Sequence, residues 1–106
     1  MELPKDLIAA SATPLVLSIL DGDDSYGYAI IKNVKELSDE EILWSEGMLY
    51  PVLHRLEKQI LIKSYWSNSE HRRRRRYYHI TESGKLELKR MKRQWQAVNR
   101  ALRRSW

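Results

Sequence analysis

The 106-residue chain is long enough for one hydrophobic core and too short for two. It has no cysteine, which excludes disulfide staples and thiolate metal centres, and no apolar run approaches the ~20 residues that cross a bilayer. Its net charge of +5 is unevenly held: residues 1–66 carry 6 Lys/Arg against 11 Asp/Glu, and residues 67–106 carry 13 against 3, so the C-terminal part attracts polyanions.

In chain order, residues 1–6 lack the basic segment and apolar run of a secretory signal, and the expected location is the cytoplasm. Residues 3–20 predict a first helix, rich in Leu, Ile and Ala, stopped by Asp21-Gly22-Asp23-Asp24. Pro14 inside it removes a backbone donor and tends to kink it. Ser25 can cap a second helix to about Leu37, with Ile30, Ile31, Val34 and Leu37 on one face. Ile42-Leu43-Trp44 reads as a short extended segment. Ser45 starts a third helix with an apolar stripe of Leu49, Val52, Leu53, Leu56 and Ile60; Pro51 implies a late start or a bent first turn. Residues 60–66 and 72–81 are β-branched, aromatic and arginine-rich, and predict two strands around a polar turn, a β-hairpin. Thr81 or Ser83 caps a last helix. Its Leu88, Met91, Trp95, Val98 and Leu102 step by three and four, the a/d stripe of helices that pair along a seam.

The order helix, helix, helix, strand, strand, helix is mainly α with a β-hairpin wing: a winged helix-turn-helix over residues 1–81 followed by a C-terminal dimerisation helix over residues 82–106. In such a fold the second helix of the pair enters the major groove. Here that places Ser45, Glu46, Gly47, Met48 and Tyr50 near base edges and Arg55 and Lys58 near phosphates. The arginines Arg72, Arg73, Arg74, Arg75 and Arg76 suit phosphate oxygens or a narrow minor groove, although strand alternation prevents all five from facing one way. The C-terminal stripe either packs back on the core or pairs with a second copy. A tryptophan in mid-seam, Trp95, fills such a contact or stacks on a flat ligand. Catalysis finds no support: His54, His71 and His79 lie on three elements, with no His-Glu-x-x-His spacing and no glycine-rich phosphate loop. No metal site, cofactor or membrane is expected. The reading is a DNA-binding dimeric regulator, not an enzyme; the alternative is a ligand- or metal-binding dimeric sensor that does not sit on an operator.

Ser45-Glu46-Gly47-Met48-Leu49-Tyr50-Pro51-Val52-Leu53-His54-Arg55-Leu56-Glu57 resembles the recognition-helix signature of the PadR family of transcriptional regulators. Tyr26-Gly27-Tyr28-Ala29-Ile30-Ile31-Lys32 resembles that family's second helix, and Arg74-Arg75-Arg76-Tyr77-Tyr78-His79-Ile80-Thr81-Glu82-Ser83-Gly84 its wing strand and the entry to its last helix. The resemblance implies a homodimeric repressor on a near-palindromic operator of double-stranded DNA, with the N-terminal helix also packing at the dimer interface. It implies DNA contacts at Lys5, Tyr28, Lys32, Ser45, Gly47, Met48, Tyr50, Arg55 and the wing arginines. The short last helix is similar to that of the small, multidrug-binding branch. That likeness implies a planar aromatic ligand at the dimer interface, with Leu7, Pro14, Ser18, Trp95 and Asn99 lining its pocket. Four positions depart from the pattern. Met48 stands where Thr is frequent. Ile60 stands where Gly usually ends the recognition helix, which disfavours a left-handed cap and predicts a different helix end. Arg72 and Arg73 replace wing-tip glycines and predict a steeper salt dependence of DNA binding.

Overall fold

A computed structural model describes residues 3–68 and 74–106. Helix α1 (Lys5–Gly22) follows Pro4, whose φ of −61° suits the position before a first turn. Pro14 sits inside an unbroken helical span. Ala12, Val16, Leu17 and Leu20 of α1 point into the core.

The expected cap at Ser25 is corrected. Ser25 lies in a two-residue strand, β1 (Ser25–Tyr26), opposite Tyr78, and helix α2 (Gly27–Leu37) starts after Tyr26 without a side-chain cap. The ladder to the wing holds Ser25 extended and short of the first helical turn. Gly27 opens α2 beside Tyr50; a Cβ there would stand 2.7 Å from the hydroxyl oxygen at the far end of that side chain. Ile30 and Val34 are buried as their spacing predicts, whereas Leu37, at the end of that stripe, is exposed. Beyond it, Asp39 and Glu40 take φ of 52° and 67°, and their N–H groups donate back to the Glu36 and Lys35 carbonyls, closing the helix end. The Ile42-Leu43-Trp44 segment forms no strand among the described residues; Trp44 packs into the core instead.

Helix α3 (Glu46–Lys58) is capped by Ser45, whose hydroxyl oxygen accepts the Met48 N–H at 3.2 Å. Pro51 falls six residues in, so the helix does not start late. Leu49, Leu53 and Leu56 are fully buried. Strands β2 (Ile62–Asn68) and β3 (Arg74–Ile80) pair antiparallel, from Ile62 opposite Ile80 to Asn68 opposite Arg74. The sheet order is β1-β3-β2. The wing strands are therefore present as expected, while the turn between them, with His71, Arg72 and Arg73, lies outside the described residues.

Thr81 caps helix α4 (Glu82–Ser105), accepting the Gly84 N–H at 3.0 Å. Gly84 is required by close approach: a Cβ there would stand 2.1 Å from the Leu61 carbonyl oxygen. The apolar stripe of α4 then divides. Leu88 is buried in the chain's own core and Met91 packs at its edge, but every residue from 92 onward is exposed.

Candidate nucleic-acid interface

The capped start of α3, the start of α2 and the wing enclose one cleft of about 550 Å³. Tyr28 and Tyr50 come from the two helices, Trp66 from β2, and Arg74, Arg75 and Arg76 from β3. Alternation divides the arginines. Arg74 and Arg76 share a face with Tyr78 and Ile80, which are buried, while Arg75 shares the other with Tyr77 and His79. On the first face, Arg74 lies 5.2 Å from the Trp66 ring centre. Arg76 pairs with Glu57 at the end of α3 (3.2 Å) and donates to Ser64 Oγ (2.8 Å). Ser64 in turn donates to Glu57 Oε2 at 2.5 Å. This network ties the wing to α3.

On the second face, Arg75 lies 4.4 Å over the Tyr26 ring. Tyr65 stacks on Tyr77 at 5.7 Å, and Tyr26 meets Tyr77 edge-on at 5.4 Å. The Asp24 carboxylate accepts from the Tyr65 hydroxyl at 2.5 Å and contacts His79 Nδ1 at 2.7 Å. The Tyr65 hydrogen bond holds Asp24 below the usual carboxylate range, and the same bond pushes the Tyr65 phenol up to about 12.

A helix start, a guanidinium-bearing wing and aromatic rings around one open cleft form a surface that fits a polyanion with stacked bases. The transcriptional regulator PadR-like family matches over residues 16–90. The chain belongs to the PadR-like family of transcriptional regulators. It is therefore a DNA-binding regulator rather than an enzyme. A solved transcriptional regulator from Clostridium thermocellum is 36% identical, with a TM-score of 0.84 over 94% of this chain and 97% of that one. A PadR family regulator from Clostridium difficile is 38% identical, with a TM-score of 0.78 over 88% and 95%. Protein X of Lysinibacillus sphaericus is 30% identical over 88% of this chain and 85% of its own length.

With PadR geometry as the frame, the expected contact residues divide. Tyr28, Tyr50 and the three described arginines meet in the cleft. Gly47 and Lys32 are exposed on the helix pair, Lys58 at the end of α3 and Lys5 at the start of α1. The Ser45 hydroxyl is occupied by the cap, and Met48 packs against the core. Arg55 lies elsewhere: its guanidinium donates to Thr13 Oγ1 of α1 at 2.6 Å and lines a hollow with α1 and α4. Sequence reasoning missed Trp66, 55% exposed in the cleft. Alternation from Ile62 was visible in the sequence, but only the register opposite Arg76 puts Trp66 on the face of Arg74 and Arg76.

Trp95 borders two shallow hollows. One, about 340 Å³, holds Pro14 and Ser18 of α1, and the other, about 360 Å³, holds Val98, Asn99 and Leu102. Leu7 is exposed on the first turn of α1 and lines neither. Among the described residues no group of three or more His, Cys, Asp or Glu is placed to hold a metal. No described helix is long and apolar enough to cross a membrane.

Proposed function

We propose that this regulator is a cytoplasmic homodimeric repressor on a near-palindromic operator, released by a planar aromatic compound held between paired Trp95 rings. The observation that carries the reading is the free half of the α4 stripe. Trp95 is 37% exposed, Val98 53% and Leu102 44%, at steps of three and four on a 24-residue helix. An apolar seam of that period is covered when a second α4 lies along it, and residues 82–106 then serve as the dimerisation helix, with α1 beside them. A two-fold pair sets two α3 helices one duplex turn apart, the spacing of a palindrome's half-sites. Tyr28, Gly47, Tyr50 and Lys32 meet the groove while the wing arginines follow the phosphates. The hollows on either side of Trp95, lined by Pro14, Ser18 and Asn99, give a flat ring two apolar walls. A ligand seated there favours one spacing of the recognition helices over another and shifts the population away from the DNA-bound form.

One titration tests it. The chain is bound to a duplex taken from its own upstream region, and a planar aromatic dye is added. The expected result is joint quenching of tryptophan emission and release of the duplex; Trp95→Leu, which keeps the seam apolar, still binds the duplex but neither quenches nor releases. Equal quenching in the variant refutes the ligand site, and failure to retain the upstream duplex refutes the repressor.

A further inference from the structure

Glu46 is the one carboxylate among the described residues that line the cleft. It is the first residue of α3, directly after the Ser45 cap, and it is exposed. The neighbouring guanidiniums have other direct partners. Arg74 lies over Trp66, Arg75 over Tyr26, and Arg76 on Glu57 and Ser64. Among the described residues Glu46 makes no hydrogen bond or ion pair.

A bare carboxylate on a surface that meets DNA is repelled by every phosphate it passes. The helix dipole favours it in the first turn of α3, but against a duplex its approach is favourable where a base edge offers a donor. In the major groove, guanine presents two acceptors and thymine an acceptor and a methyl group. Adenine has an amino group, but its N7 lone pair lies beside it and repels a carboxylate. Cytosine presents the N4 amino donor with no acceptor on its own edge. We infer that Glu46 is a specificity-determining residue that accepts a hydrogen bond from cytosine N4, and so selects cytosine at one position of each half-site. The inference rests on the reading that the start of α3 faces base edges.

The test is binding-site selection from a randomised duplex pool with the full chain, Glu46→Ala and Glu46→Gln. Glu46 is exposed and makes no hydrogen bond or ion pair among the described residues, so both variants are expected to fold. The native chain is expected to select cytosine in one column per half-site, with another base there costing roughly tenfold in affinity. Glu46→Ala is expected to flatten that column to less than about twofold, while its binding to unselected duplex rises because a repelling charge is gone. Glu46→Gln turns the same column toward adenine, which pairs with an amide through N6 and N7. An unchanged column in Glu46→Ala overturns the assignment while leaving DNA binding intact. Failure of all three proteins to retain any duplex overturns the operator reading and the assignment with it.

Discussion

Ile60 carries a φ of 60°, a left-handed conformation that its branched side chain resists. The expectation that α3 would avoid a left-handed end without glycine is thereby corrected. The Ile60 N–H donates to the Glu57 carbonyl and the Leu61 N–H to the Leu56 carbonyl, the closure that glycine usually provides. The surroundings impose it: Thr81 Oγ1 donates to the Ile60 carbonyl at 2.7 Å and the Thr81 N–H to the Leu61 carbonyl at 3.0 Å. Because Ile60 is 63% exposed, little burial is lost on its removal. Ile60→Gly should stabilise the chain by about 1 kcal/mol, read as a higher urea midpoint; a lower midpoint would show the strain to be absent. The Asp24–Tyr65 bond makes a second prediction. Tyr65 is raised, so its contribution to stability is full below about 10, the ordinary value of a phenol, and is lost as pH rises through about 12. Asp24 is lowered, so its contribution holds above the ordinary carboxylate value of 3.8 and fades as pH falls through its lower folded value. In Asp24→Asn the Tyr65 ring carbon beside the hydroxyl, followed by NMR against pH, should titrate below about 12, moved toward the ordinary phenol value; no change would place the cause elsewhere.

At the scale of elements, α3 is held from two sides. Glu57 binds the wing through Arg76 and Ser64, and Arg55 reaches the buried Thr13 hydroxyl of α1. Thr13 adjoins Pro14, which borders the Trp95 hollow. The Arg55–Thr13 bond joins α1 to α3, and a salt titration separates a positioning role for Arg55 from the expected phosphate contact. Arg55→Met should weaken operator binding and cost about 1 kcal/mol of stability, with the slope of log affinity against log salt unchanged. Thr13→Val should give the same loss, and the double variant should add nothing further. A slope flattened by about one in Arg55→Met alone would assign Arg55 to a phosphate instead.

Across the whole molecule, what could be read in the chain was local. Ser45 and Thr81 cap because their hydroxyls meet an N–H three residues on, and the burial of Ile30, Val34, Leu49, Leu53 and Leu56 follows from helical period alone. The β2–β3 pairing followed from two β-rich runs close in sequence. What could not be read depends on distant partners. Ser25 and Tyr26 are a strand only because β3 lies beside them, and Arg55 finds Thr13 across 42 residues. The left-handed Ile60 depends on Thr81. Of the candidate site, Tyr28, Tyr50 and the described arginines were legible, while Trp66 required the register that faces it to Arg76. The α4 stripe was legible as a period but not as a division, since only folding shows that Leu88 is taken up by the core while Trp95, Val98 and Leu102 are left open. If that open half is covered by a second copy, equilibrium sedimentation of the full chain beside Val98→Asp reads it out. The native protein is expected at twice the single-chain mass and the variant at the single-chain mass; a native protein that sediments as one chain at micromolar concentration leaves the α4 seam unpaired and rules out the dimer.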